Sequence, residues 1–357
     1  MSAVTETPVA AAARPETPLR RLLSQFFENR LATLGLVLLV VLAVPAFAAP
    51  WIAPQNPYDI ASLDILDAQL PPGSVAEGTG MTYWLGTDGQ ARDVLSAILY
   101  GLRTSLTVAF VAVGASLLLG ATVGLSAAYA GGWIDALLMR IVDIQLSIPA
   151  ILVALTMLSI LGQGLDKVIV ALVIVQWAYF ARTARAAALV ERNREYMLAA
   201  RCLALGWPRI VFRHLLPNCM PPLIVIATID LAHAIALEAT LSFLGIGVPV
   251  TQPSLGMLIA NGFEFMMSGR YWISFFPGIA LALAIVAINL VATTCATSSI
   301  RGTPHDRRCR PAPGCIPASA ARGRGPEDAF RHAGRPGEGG RRHQLRAGRR
   351  RDPGPRG

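Results

Sequence analysis

Charge is the scarcest ingredient of this chain. Asp, Glu, Lys and Arg make up 15% of its 357 residues, against roughly 25% in soluble domains, while hydrophobic residues reach 54%. With a mean hydropathy of +0.50, the composition excludes an ordinary water-soluble globule. Cysteine is sparse too: Cys202 and Cys219 stand alone, and Cys295, Cys309 and Cys315 fall near the end without CxxC spacing. That pattern excludes a zinc ribbon and a disulfide framework. His214 and His233 are single histidines with no carboxylate or cysteine read at ligand spacing, so no metal site is expected. No G-x-x-x-x-G-K-[ST], G-x-S-x-G or H-E-x-x-H run occurs. The chain is therefore read as lacking a phosphate loop and the catalytic constellation of a membrane hydrolase.

What is plentiful is apolar length. Runs at about 31–49, 105–129, 136–161, 168–189, 221–244 and 272–291 reach or approach the roughly 18 to 20 residues that cross a bilayer core as helix. Backbone in lipid must satisfy its own hydrogen bonds, so an all-α membrane protein with about six transmembrane helices is expected. The Ala-, Pro- and Thr-rich start through Thr17 lacks the layout of a signal peptide. The first run is therefore read as a retained span and 1–30 as a cytoplasmic N-terminal segment.

Basic residues set the orientation. Arg20, Arg21 and Arg30 precede the first run, and Arg182, Arg185, Arg192, Arg194, Arg201, Arg209 and Arg213 crowd the end of the fourth and the segment after it. Residues 50–103 instead carry Asp59, Asp64, Asp67 and Asp88, with Arg92 and Arg103 the only basic residues. This distribution predicts both termini and the 182–217 segment in the cytoplasm, with the 50–103 and 245–269 segments outside. The net charge of +9 then speaks of topology and not of nucleic acid.

Few ionisable residues interrupt the runs. Glu238, near the outer end of the fifth, reads either as a gate or passage residue or as a capped, water-exposed side chain that fixes the turn at Gly245. Arg140 and Asp143, one turn apart, are expected to pair at i, i+3. Otherwise the spans read as mostly free of deep charge, which argues against the alternative of an ATP-independent secondary transporter or channel.

Residues 195–218 read EYMLAARCLALGWPRIVFRHLLPN. A helix through Ala199 and Ala200, a break at Gly206 and a second helix from Pro208 predict a short helix pair lying along the membrane. This stretch resembles the cytoplasmic "EAA" loop of membrane permeases of ATP-binding-cassette importers. It departs from that form at Leu198, in the Glu position, and at Ala204, in the glycine position. Residues 84–88 (WLGTD), 92–96 (RDVLS), 100–106 (YGLRTSL), 146–149 (LSIP), 237–245 (LEATLSFLG) and 253–256 (PSLG) are similar to the dipeptide, oligopeptide and nickel branch of that family, in order over about residues 20–291. The resemblance implies a MetI-like permease of a type I importer, with permease domain 31–291. It further implies coupling to a partner ATPase through Ala199, Ala200, Arg201, Leu205, Gly206 and Trp207. Two such ATPase subunits would bind ATP and Mg, a second, non-identical permease would complete the channel, and an extracytoplasmic binding protein would deliver peptides or nickel chelates.

After Val291 the composition turns to Arg, Gly, Pro and Ala without periodicity, as in a disordered basic tail. Residues 292–303, read one base out of frame, permit Gly-Asp-Asp-Leu-Arg-Asp-Ile-Leu-Asp-Pro-Arg-His, similar to the ending of the related permeases. In the third frame 338–353 permits a run resembling the strands before a cassette ATPase's phosphate loop. Residues 292–357 are therefore read as the product of a frameshift or sequencing error.

Overall fold

The computed structural model describes residues 29–59, 63–76, 80–203, 206–249 and 251–301. These lie in the unit Met1–Gly302; the second unit, Thr303–Gly357, falls outside them, as does most of the 1–30 segment. The chain opens with α1 (Arg30–Phe47) and a single turn, α2 (Ala49–Ile52). A polar segment comes next, with a two-residue ribbon, β1 (Ser74–Val75) antiparallel to β2 (Thr82–Tyr83), a small addition to an otherwise helical fold. Then come α3 (Val94–Ala130), α4 (Gly132–Ser147), α5 (Ala150–Leu161) and α6 (Leu165–Glu191). Two short helices, α7 (Glu195–Cys202) and α8 (Trp207–Arg209), lead through a π-helical turn (Ile210–Leu215) into α9 (Leu216–Phe243). The last helices are α10 (Leu255–Phe263) and α11 (Trp272–Arg301), which carries its helix past the expected boundary at 291.

Among the described residues, five helical segments are long and apolar enough to cross a membrane: α1, α3, α6, the run Trp207–Phe243 and the first part of α11. The expected third span is not one straight helix but the pair α4 and α5, bent by 91°. Pro149 is the cause. It lacks an N–H and pushes Ile148 into extended backbone (φ −93°, ψ 132°), ending α4.

Contacts between loops sort the helix ends onto two faces. Arg192 donates to the carbonyl of Ala128, joining the ends of α6 and α3. At the other face Gln163 donates to the carbonyl of Gly245 and Gly164 N–H to that of Gly247. Trp272 Nε1 approaches the carbonyl of Thr87 there, and Gln55 exchanges hydrogen bonds with Asp93 and Ser96. The chain thus leaves residue 131 on the arginine-rich face and reaches 163 on the opposite face, so α4 and α5 together span the thickness once. Neither alone could, since 16 and 12 residues rise only about 24 and 18 Å.

The closest helix contact is α3 on α6, and its sequence basis is Gly120-x-x-x-Gly124. A Cβ at Gly124 would lie 2.2 Å from the Ala181 carbonyl oxygen, and one at Gly120 2.4 Å from that of Trp177. Ala181 and Ala184 face this strip, both fully buried. In lipid, where apolar surface has no water to leave, such close backbone approach is what holds helices together. Gly256 of α10 likewise meets the Ala239 carbonyl of α9.

The polar segment before α3 is ordered by buried hydrogen bonds. Tyr83 Oη donates to Asp67 (3.0 Å), Thr87 Oγ1 donates to the Asp67 carbonyl (2.6 Å), and Arg92 Nε pairs with Asp88 (2.8 Å). Asp93 caps α3, accepting from Ser96 N–H and Oγ. The WLGTD and RDVLS runs are therefore the bracing of this layer, with Gly86 turning at φ 81° against the Leu70 carbonyl.

Candidate functional site

At the arginine-rich face, Glu191 ends α6 and fastens the start of the next segment. Its carboxylate accepts from Tyr196 Oη (2.8 Å) and pairs with Arg194 (3.0 Å). Burial and that hydrogen bond push the Tyr196 phenol up to about 12. Tyr129, at the end of α3, meets Trp207 edge-on at 6.4 Å. Gly206 provides the extended N-cap of α8 (φ −62°, ψ 147°), with Pro208 in the first turn, so the helix break falls at the expected glycine. The π-helical turn then precedes Pro217, which has no N–H to offer; Asn218 Nδ2 instead bonds the His214 carbonyl at 2.7 Å.

The helix pair has two sides. Met197, Ala200, Ile210, Val211 and Leu215 are buried on the inner side, whereas Leu198, Leu203 (73% exposed) and Trp207 face outward. Of the residues singled out in the sequence, Ala199 and Arg201 lie within α7, Gly206 and Trp207 form the break, and Leu205 lies outside the described residues. Ala200 turns toward this chain's own core, so it is a packing position. The outward leucines were missed, although Leu198 occupies a motif position.

A second feature opens between α6 and α9, a cleft of about 550 Å³. Gln176, Tyr179, Arg182 and Thr183 line it from α6, and Asp230, His233 and Thr240 are among those from α9. Asp230 sits midway along α9, only 6% exposed, which corrects the expectation of spans mostly free of deep charge. Gln176 Nε2 donates to the Asp230 carbonyl (3.2 Å), and His233 Nδ1 stands 3.6 Å from Asp230 Oδ1, so the histidine does have a carboxylate neighbour at i−3.

Two further expectations are corrected. Glu238 is not water-exposed: it is 0% exposed and accepts from Ser105 (2.7 Å) and Ser242 (2.8 Å), tying α3 to α9. Asp143 pairs with Arg182 (2.5 Å) across helices and not with Arg140. Asp135 receives Arg185 through two hydrogen bonds (2.5 and 2.7 Å), so both carboxylates of α4 are clamped by arginines of α6. The two-bond Arg185–Asp135 contact uses the fork of a planar guanidinium against a carboxylate. No cluster of metal-ligating side chains occurs among the described residues.

Comparison with known proteins matches residues 120–299 to the model for the inner membrane component of binding-protein-dependent transport systems, and residues 17–72 to the N-terminal transmembrane domain of oligopeptide transport permease C. The dipeptide transport system permease protein DppC of Escherichia coli (strain K12) is 40% identical over 291 residues, 82% of this chain and 95% of that one. DppC of Haemophilus influenzae is 36% identical over 288 residues, 81% of this chain and 95% of its own. Among solved structures, an inward-facing MetNI methionine ABC transporter matches 57% of this chain and 96% of its own with a TM-score of 0.47 and 22% identity.

Proposed function

The chain belongs to the family of inner membrane components of binding-protein-dependent transport systems, and from that premise we propose that it is a membrane subunit of an ATP-driven importer of short peptides. The carrying observation is near-complete alignment at 40% identity with a dipeptide permease. The geometry agrees with it: a helix pair anchored by Glu191, Arg192 and Trp207 across the ends of α3 and α6 presents an apolar outer side to a partner.

In this reading the arginine-rich face is cytoplasmic, as the positive-inside bias requires. Two ATPase subunits bind ATP and Mg, and closure of one of them pushes on the α7–α8 pair through Leu198, Leu203 and Trp207. Anchoring at Glu191 and Arg192 carries that push into α6 and α3, and the continuous run from Trp207 carries it into α9. A second permease faces the cleft between α6 and α9, and a binding protein docks on the opposite face. Alternating access then arises from two states of the packed helices that ATP biases differently. The deep Asp230 removes one argument against a secondary transporter, but the permease relatives lend that alternative no support.

The test is co-purification of the tagged chain with its chromosomal neighbours, followed by ATPase assay with the loaded binding protein. Recovery of a second permease and cassette ATPases with stimulated hydrolysis supports the assignment; a chain that purifies alone and passes solute without ATP overturns it.

We further propose that the residues beyond about 292 arise from a frameshift. The family match ends at residue 299, close to the change of composition. Resequencing the DNA tests this: an intact displayed frame with no shifted ATPase frame behind it would refute it.

A further inference from the structure

The cleft between α6 and α9 holds chemistry that the import reading does not by itself assign. An ionisable residue in the middle of a span is costly and seldom kept without a task. Asp230 has thirteen residues of α9 beyond it and fourteen before it, so it lies near mid-membrane. Its Oδ1 faces His233, but its Oδ2 is sealed with no hydrogen-bond partner, and so is Gln176 Oε1 on the facing helix, whose residue is 3% exposed. Both atoms are acceptors, and both belong to residues that line the cleft. The one guanidinium of the cleft, on Arg182, is engaged by Asp143. Two unsatisfied acceptors on residues already joined by the Gln176–Asp230 hydrogen bond, one of them a carboxylate oxygen, call for a small cationic donor.

We propose that Asp230 and Gln176 form a subsite for the protonated amino group of the cargo peptide during its passage, a role that rests on the peptide-import reading above. An ammonium has three N–H donors on one atom, so it can donate to more than one acceptor at once. The His233 side chain, 72% exposed, flanks the same carboxylate on its Oδ1 side. The remaining lining is largely apolar, including Val175, Ile226, Ile229 and Leu237, so it leaves side-chain identity unread while the amino end is held.

The test uses the purified complex of this chain with its partner permease and ATPases in phosphatidylcholine nanodiscs, without ATP or binding protein. Equilibrium binding of labelled dialanine is measured against unlabelled dialanine and N-acetyl-dialanine. Wild-type complex is expected to prefer the free amine by about tenfold, and D230N and Q176L to weaken dialanine binding and narrow that preference, D230N the more. D230E, which keeps the charge, should restore part of the preference; co-purification with partners checks folding. Absence of dialanine binding in wild type, equal competition by the acetylated peptide, or full preference retained in D230N and Q176L overturns the subsite. ATP-driven dialanine uptake in proteoliposomes with the binding protein separates the two claims. Uptake without amine preference sinks the subsite alone, whereas no uptake sinks peptide import and the subsite with it.

Discussion

Single residues set the tightest distances in this molecule. Gly124 lies where any Cβ would strike the Ala181 carbonyl oxygen, whereas Gly114, on the same helix, has nothing within 4 Å of its Cβ position. Gly124→Leu should therefore cost about 1–3 kcal/mol or more by overpacking, seen as a lower thermal midpoint in detergent, while Gly114→Leu leaves it unchanged. Glu238 is a second such point: Glu238→Leu strands the hydroxyls of Ser105 and Ser242, for a loss of about 1–3 kcal/mol. A double-mutant cycle with Ser105→Ala should return a coupling; strict additivity would deny the tie between α3 and α9. Tyr83 gives a pH signature. Burial and then Asp67 raise its phenol from 10.0 to about 12, so its contribution is complete below 10 and is lost as pH rises through 12. Tyr83→Phe should remove that alkaline component of the stability profile. At this scale the sequence was partly readable: Gly120 and Gly124 stand in plain small-xxx-small spacing, and Asp230 interrupts an apolar run. What it hid was direction, since only packing turns Glu238 inward or sets Asp143 opposite Arg182.

At the scale of elements, hydropathy located the spans well except where length or capping misled. The run 136–161 is apolar on both sides of Pro149, so composition alone reads one helix where the backbone makes a 91° bend. Helix α3 begins at Val94, eleven residues before its expected start, because Asp93 supplies a cap that hydropathy does not register. The break at Gly206 was legible from glycine and proline; which side of α7 faces out was not, as its eight residues, EYMLAARC, set Tyr, Met and Leu side by side and mark no apolar stripe. That sidedness gives a prediction with two arms. Leu203→Glu, on the outward side, should leave the permease as stable as wild type but weaken ATPase co-purification and stimulated hydrolysis. Ala200→Glu places a charge at a position only 5% exposed and should lower the permease's own thermal midpoint. If both variants fold normally and both couple normally, the α7–α8 pair is not the docking surface.

For the whole molecule, family membership rests on alignment that runs almost the full length of its relatives, and the architecture explains why so spare a chain suffices. It carries an anchored helix pair on one face, a braced polar layer on the other, and a cleft between two long helices. Transport by such a subunit depends on partners that supply energy and cargo. The most direct measurement is uptake of labelled dialanine into proteoliposomes that contain this chain with its neighbouring permease and ATPases, with ATP inside and the binding protein outside. Uptake that needs both ATP and the binding protein, accompanied by hydrolysis that the loaded binding protein stimulates, is the predicted result; uptake by this chain alone, without ATP and down a gradient, would contradict the account.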